Sequence, residues 1–214
     1  MGREFIELFD HWADHYDVTV LGHDEEYREV FENYDAILEE VAELASGTVL
    51  EFGPGTGNLT EKLLRRGGSV YAVEPSPGMR AQFARRSLQA QLLEGDFLQF
   101  PDIPEQVDSI VSTYAFHHLT DEEKEQAVAH YAAMLGVGGQ IVFADGTFRD
   151  EEAKRQLEEA ARHAGHLNLV NDMRSEYFTT TGVLERICTN HGFHVTFKQL
   201  NRYVWLMHAV KKTD

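Results

Sequence analysis

The sequence predicts an α/β fold in which helices cover both faces of a mostly parallel sheet. Through the middle of the chain, short apolar segments alternate with amphipathic segments of helical spacing, which is typical of parallel strands joined by helices. A glycine-rich turn at 53–57 separates the first strand from the next helix. The last two apolar segments are joined by a short connector, so we expect them to pair as an antiparallel hairpin.

The individual elements follow from length and periodicity. Strands are predicted at 48–52, 69–73, 91–94, 107–113, 140–144, 193–199 and 203–211. Apolar residues at three-to-four spacing predict helices at 4–16, 24–45, 58–66, 76–86, 121–135, 150–164 and 180–191. The segment 165–178 lacks this spacing and is predicted to be irregular. Together these elements predict a single domain with a seven-stranded, doubly wound sheet of the Rossmann-like type, closed by the C-terminal hairpin.

Composition and charge exclude several classes of protein. No apolar run approaches the roughly 18 residues of a membrane helix, and the N-terminus has no apolar signal core, so we expect a cytoplasmic protein without a membrane partner. Cys188 is the only cysteine, which excludes an internal disulfide and a thiolate zinc cluster. The net charge of −17 disfavours a nucleic-acid partner, because polyanions are bound mainly through basic surfaces.

The glycine turn lies in the segment Glu51-Phe52-Gly53-Pro54-Gly55-Thr56-Gly57. A phosphate-binding P-loop would continue with Lys and Ser or Thr, but Asn58 follows Gly57. A dinucleotide site would have its third glycine at position 58, so that match is imperfect. The segment resembles the E/D-x-G-x-G-x-G motif of S-adenosylmethionine-binding proteins. A purely structural turn is the remaining alternative.

Two acidic positions extend this comparison. Glu74 ends the second predicted strand, where its carboxylate can accept hydrogen bonds from both hydroxyls of a ribose. This position suits NAD equally well and does not separate the two cofactors. Asp96 and Phe97 follow the third strand, and this pair matches the pattern of S-adenosylmethionine enzymes. Phe97 or Met79 can cover one face of an adenine ring.

With these motifs in order, the chain resembles the class I S-adenosylmethionine-dependent methyltransferases from about residue 45 to 146. The N-terminal pattern Phe9-Asp10-x-Trp12-Ala13-x-x-Tyr16-Asp17 and the segment 49–57 are similar to the YrrT group of methyltransferases, over most of the chain. The resemblance implies that Gly53 and Gly55 line the methionine end of the cofactor, that Glu74 binds the ribose, and that Asp96 with Phe97 binds the adenine. The remaining cofactor-binding residues that it implies are Tyr16 in an N-terminal lid, Glu51, Gly57, Pro75, Met79, Thr113 and Tyr114.

The resemblance also divides the chain into an N-terminal helical lid (1–45), a cofactor-binding core (46–146) and a substrate-side region that ends in the hairpin (147–214). It implies methyl transfer from S-adenosylmethionine by in-line displacement at the sulfonium methyl. A small-molecule acceptor is expected because the compact chain shows no docking domain. Two other functions stay open at this point. One is a non-catalytic module that binds S-adenosylmethionine or S-adenosylhomocysteine, and the other is an NAD-dependent oxidoreductase.

Candidate catalytic residues lie after the fourth predicted strand. His117 and His118 have an ordinary pKa near 6.5, which suits a general base, and we expect at most one of them to face the pocket. Packing or helix capping is the alternative role for both. Contacts to the acceptor are predicted for Asp145, Tyr177 and Phe178. No metal is predicted, because the neighbouring His163 and His166 lack a placed third ligand and are interpreted as surface residues.

Overall fold

The computed structural model describes residues 24–213 together with Phe5, Ile6, Asp10, Ala13, Asp17 and Val20. The predicted helix at 4–16 lies mostly outside these residues, and so does Tyr16 with its predicted contact to the cofactor.

The described residues form one eight-stranded sheet in the order β3-β2-β1-β4-β5-β8-β7, with β6 paired to β5. The strands are β1 (Thr48–Phe52), β2 (Ser69–Glu74), β3 (Gln91–Glu94), β4 (Ser109–Thr113), β5 (Gln140–Phe148), β6 (Thr179–Thr180), β7 (Phe193–Gln199) and β8 (Val204–Lys211). β8 runs antiparallel to both β5 and β7, while the other pairs are parallel. The predicted Rossmann-like fold with its closing hairpin is confirmed. The eighth strand, β6, was not predicted, and it pairs with Thr147 and Phe148 of β5. β5 itself continues to Phe148, beyond its predicted end at 144.

Helices cover both faces of this sheet. They are α1 (Tyr34–Leu44), α2 (Asn58–Arg65), α3 (Pro77–Arg85), α4 (Asp121–Met134), α5 (Glu151–Ala164), α6 (Leu167–Ser175) and α7 (Thr181–Asn190). One group of buried side chains, which includes Phe52, Tyr131 and Phe143, fills one face. A second group, which includes Leu38 and Val142, fills the other. None of the helices in the described part of the chain is long and apolar enough to span a membrane.

Two predicted elements were wrong. The helix expected over 24–45 begins only at Tyr34, after a series of turns. Asn33 has a left-handed backbone (φ 62°), which an α-helix of L-residues cannot continue, and the side-chain amide of Asn201 donates to the carbonyls of Val30 and Glu32. These carbonyls are therefore bound from another part of the chain.

The segment 165–178, predicted to be irregular, contains α6. Gly165 adopts a left-handed conformation (φ 82°) and ends α5, so that a new helix starts in a different direction at Leu167. The inner side of α6 is formed by the buried side chains of Leu169, Val170 and Met173. This helix lies beside the candidate active site.

Candidate active site

The glycine turn lies at the carboxyl end of β1, beside the point where the strand order reverses between β1 and β4. Open α/β sheets bind their ligands at such points. Gly53, Gly55 and Gly57 all have positive φ angles, of 64°, 55° and 93°. A Cβ atom on Gly53 would lie 2.8 Å from the Cβ of Ala115, in the loop after β4. Glycine at 53 therefore permits both the left-handed turn and the close approach of these two loops.

Glu74 ends β2 with its side chain buried beneath the glycine turn. Its two carboxylate oxygens accept hydrogen bonds from the backbone N–H of Gly55 at 3.1 Å and of Ser76 at 2.9 Å. Burial raises the pKa of Glu74 to about 7, although the two backbone donors oppose the shift. A carboxylate offers about four acceptor positions, so Glu74 can accept two further hydrogen bonds from a ligand.

A cavity opens between the glycine turn, Glu74 and the loop after β4. The predicted site residues that line it are Gly53, Gly55, Glu74, Pro75, Met79, Asp96, Phe97, Thr113, Tyr114 and His118. The structure thus brings together most of the cofactor-binding residues implied by the resemblance.

Three other predicted residues lie outside this cavity. Glu51 is buried, and its Oε2 accepts a hydrogen bond from the Thr60 hydroxyl at 2.6 Å, which ties β1 to α2. Burial raises the pKa of Glu51 to about 8. Gly57 caps the start of α2. His117 lines a neighbouring cavity instead.

Asp96 and Phe97 form the far wall of the first cavity. Asp96 Oδ1 accepts hydrogen bonds from the backbone N–H groups of Leu98 and Gln99, both at 2.9 Å, which fixes the carboxylate at the end of β3. Phe97 stacks on Phe52 with 5.1 Å between the ring centroids. Met79, near the start of α3, is buried and lines the same cavity. This end of the cavity therefore combines apolar surface with one fixed carboxylate.

The two histidines form a short 3₁₀ helix, Phe116–His118, after β4. His117 Nδ1 lies 2.5 Å from Asp145 Oδ1, and the His117 backbone N–H donates to Asp145 Oδ2 at 2.7 Å. His118 Nδ1 lies 3.0 Å from the carbonyl oxygen of Ala115. The Nε2 atoms of both rings face the carboxylate of Glu176, at 3.4 Å from His117 and 3.6 Å from His118.

The charges in this cluster are set by burial and by pairing. Burial lowers the pKa of His117, but the adjacent Asp145 carboxylate outweighs it, so that the pKa is raised overall. The same pairing holds the pKa of Asp145 below its usual value in spite of burial. Burial and the neighbouring His117 lower the pKa of His118. The two adjacent histidines therefore have different protonation properties.

A second cavity lies between the histidines and α6. Its walls include Tyr27, Phe31, Phe148, Asp172, Met173, Glu176 and Phe178. Tyr114 and His118 line both cavities, so the two spaces adjoin. Both histidines line the second cavity, and only His118 also lines the first.

Comparison with known proteins identifies the family. The family model described as "Methyltransferase domain" matches residues 49–139, which include the glycine turn, Glu74, Asp96 and both histidines. A protein of Geobacillus thermodenitrificans (strain NG80-2), named an uncharacterized methyltransferase, is 56% identical over 214 residues, covering 100% of both chains. The chain belongs to this family of methyltransferases. A relative of the same description from Bacillus cytotoxicus is 52% identical over 214 residues, covering 99% of this chain and 100% of its own.

Solved structures support the fold of the methyltransferase. The DhpI–SAH complex has a TM-score of 0.72 at 18% sequence identity and covers 100% of this chain and 98% of its own. Magnesium protoporphyrin IX methyltransferase from Synechocystis PCC 6803 with bound SAM has a TM-score of 0.67 at 13% identity, with 97% of each chain covered. At these identities the likeness concerns the fold alone.

The three predicted acceptor contacts occupy different places in the methyltransferase. Asp145 is engaged with His117, as described above. Phe178 lines the second cavity and stacks on the His117 ring, with 4.6 Å between centroids and 5° between planes. Tyr177 is partly exposed, and its backbone N–H donates to the His117 carbonyl at 3.0 Å.

Lys124, which was not predicted as a site residue, connects two segments of this region through hydrogen bonds. It is almost fully buried in α4, and its ammonium donates to the carbonyl oxygens of Leu119 and, at 2.7 Å, of Tyr177. It thereby joins the segment that carries the histidines to the segment that carries Glu176. Helical spacing could have revealed it, because Lys124 precedes the buried Ala127, Val128 and Tyr131 on one side of α4.

We expect Lys124→Met to lower the free energy of unfolding by about 2–4 kcal/mol. The substitution leaves the carbonyl oxygens of Leu119 and Tyr177 without their charged donor, and each such bond contributes about 1.5–3 kcal/mol. Burial of the Lys124 ammonium is unfavourable and lowers its pKa to about 8. Methionine avoids this cost of burial, which offsets part of the loss. Urea denaturation measures the change. The control is Lys154→Met, since the Lys154 ammonium is half-buried and lies 3.5 Å from the Phe178 carbonyl. An equal loss in both variants would contradict the role given to Lys124.

Proposed function

We propose that the chain transfers the methyl group of S-adenosylmethionine to a small-molecule acceptor. The observation that carries this proposal is the pair of adjoining cavities on the two sides of Tyr114 and His118. The first holds most of the residues that the class I resemblance assigns to the cofactor. The second has mostly aromatic and apolar walls, which suit an acceptor. A transfer reaction requires two such spaces that meet at one place.

The first cavity fits the chemical parts of the cofactor. Glu74 is a buried carboxylate with acceptor positions to spare for two ribose hydroxyls, and Gly53 and Gly55 leave room for the methionine end. Met79 and Phe97 offer apolar surface for the adenine, beside the fixed carboxylate of Asp96. The predicted lid tyrosine, Tyr16, remains part of this proposal.

Tyr114 marks the place where the two substrates meet. It is a non-glycine residue with a positive φ of 54°, a conformation that costs energy and is often found at functional sites. Its backbone N–H donates to the Ala144 carbonyl at 3.0 Å, and its ring packs near Phe31 and Tyr34. The strained backbone directs the Tyr114 side chain into the boundary between the cavities, beside His118.

In this reaction the protein mainly has to align the cofactor with the acceptor. The cofactor supplies a sulfonium methyl that is already activated. Alignment of two reactants can supply about 7–11 kcal/mol of the barrier, and the aromatic walls of the second cavity exclude water from the acceptor. His117 and His118 are the residues that we assign to orienting the acceptor or accepting its proton. The acidic surface makes nucleic acid an unsuitable acceptor, and a cytoplasmic location remains the prediction from the sequence.

Calorimetric titration of the purified protein with S-adenosylmethionine, S-adenosylhomocysteine and NAD tests the proposal. We expect micromolar binding of the first two ligands and no binding of NAD. Formation of S-adenosylhomocysteine from S-adenosylmethionine in the presence of each metabolite of a panel then identifies the acceptor. Binding of NAD alone would overturn the proposed cofactor. Cofactor binding without turnover on any acceptor would favour a non-catalytic binding module.

A further inference from the structure

Three potential metal ligands meet on the acceptor side of Tyr114. The Nε2 atoms of His117 and His118 lie 3.4 and 3.6 Å from different oxygens of Glu176, and the ligand atoms of the three side chains lie within 4.8 Å of one another. These separations are longer than the usual 2.7–3.2 Å of an N–H···O hydrogen bond. In a tetrahedral zinc site with bonds of about 2.0–2.1 Å, two ligand atoms lie about 3.4 Å apart. The separations of both Nε2 atoms from the Glu176 carboxylate therefore match the spacing of ligands around such an ion.

The Nδ1 atoms of both histidine rings already contact acceptor groups of the protein. His117 Nδ1 faces the Asp145 carboxylate at 2.5 Å, and His118 Nδ1 faces the Ala115 carbonyl at 3.0 Å. Histidines that bind metals almost always donate their other ring N–H to a carboxylate or a carbonyl oxygen. These two contacts orient both Nε2 atoms toward Glu176. The outer contacts of a metal site are thus present for each ring.

The position of the cluster suits an ion that also contacts a ligand. His117, His118 and Glu176 all line the second cavity, and their side chains are only 9–11% exposed. Three protein ligands with one side open to a cavity are the arrangement of catalytic zinc sites. Asp172, another carboxylate, lines the same cavity and accepts a hydrogen bond from the Tyr27 hydroxyl. This acidic surrounding favours a cation at the centre.

We propose that His117, His118 and Glu176 bind a divalent transition-metal ion of the zinc type, which orients the acceptor through an oxygen or nitrogen atom. Two imidazoles and one carboxylate are a donor set that suits such ions. The orienting role rests on the proposed function, whereas binding of the ion does not. The sequence predicts no metal, because His163 and His166 lack a placed third ligand. The ligands proposed here come from two segments that meet only in the folded chain.

Titration of tag-free, chelator-treated protein with Zn²⁺, followed by calorimetry, tests the site. We expect one equivalent of Zn²⁺ per chain, and Co²⁺ in its place is expected to give the visible absorption of a four-coordinate ion. Glu176→Gln and His118→Ala should each weaken Zn²⁺ binding at least tenfold. Asp145→Asn, which leaves all three ligands in place, should weaken it about 10–100-fold. The matched control is His163→Ala, at an exposed helical histidine, which should bind as the unmodified protein does.

The outcomes separate this inference from the proposed function. Absence of stoichiometric Zn²⁺ binding, or equal affinity in the unmodified protein and Glu176→Gln, would overturn the metal site. Titration of the same preparations with S-adenosylmethionine tests the cofactor independently, so that intact cofactor binding would then leave the proposed function standing. Circular dichroism checks that each variant is folded. If His118→Ala unfolds, Glu176→Gln and the Co²⁺ spectrum of the unmodified protein decide the result.

Discussion

Glu74→Ala is expected to weaken S-adenosylmethionine binding by at least tenfold while leaving the fold intact. A tenfold change corresponds to about 1.4 kcal/mol. Two charge-assisted hydrogen bonds to a ribose can contribute about 3–6 kcal/mol together, so a larger loss is compatible with the geometry. The substitution also leaves the backbone N–H of Gly55 without its acceptor, which loosens the glycine turn. Calorimetric titration measures the affinity, and a thermal melt checks the fold.

Glu94→Ala is the matched control for this variant. Glu94 ends β3 in register with Glu74 at the end of the adjacent strand, but its side chain is 80% exposed and pairs with Arg80 at 3.2 Å. We expect its cofactor affinity to stay within about twofold of the original. An unchanged affinity in Glu74→Ala would remove Glu74 from the cofactor site.

The pH dependence of binding gives a second measurement of the same carboxylate. Burial raises the pKa of Glu74 to about 7, and only the ionised form accepts hydrogen bonds from both ribose hydroxyls while it retains Gly55 and Ser76 as donors. Below pH 7 the carboxyl group must first lose a proton, so the affinity is expected to fall by up to about tenfold per pH unit as the pH decreases. Glu74→Gln cannot ionise and should bind weakly, with little change over the same range.

The cofactor side of the site could be predicted because local patterns determine it. Gly53 and Glu74 lie at the ends of strands that alternation alone identifies, and the carboxyl ends of parallel strands meet at one edge of a sheet. The bounds of β1 and β3 agree with the predicted ranges, and those of β2 differ by one residue.

The acceptor side depends on contacts between distant segments. Glu176 follows α6, which the sequence did not indicate, and it reaches His117 and His118 only through packing of that helix. The turns before Tyr34 have helical spacing in the sequence, yet Asn201 binds their carbonyls from the β7–β8 connection. Tertiary contacts override local preference at both places. Sequence patterns alone could therefore identify the two histidines but not the carboxylate that joins them.

His117→Ala and His118→Ala are expected to lower turnover by at least about hundredfold with a much smaller effect on cofactor affinity. Acid–base groups contribute about 10²–10⁴ to a rate, and loss of alignment has an effect of similar size. His117 lines the second cavity but not the first, so its loss should leave S-adenosylmethionine affinity within about twofold. His118 lines both cavities, and we expect a modest loss of affinity there. Turnover is measured as release of S-adenosylhomocysteine with the acceptor found by screening.

The two histidine variants together distinguish a role toward the acceptor from a role in packing. If the histidines only packed the loop after β4, both substitutions would lower stability and cofactor affinity together, because Ala115 in that loop touches the glycine turn. A role toward the acceptor instead separates turnover from affinity, and most clearly at His117, whose ring is held by Asp145 and Phe178 away from the first cavity. His163→Ala should change neither quantity. Turnover close to that of the unmodified protein in both variants would show that the two histidines have only a structural role.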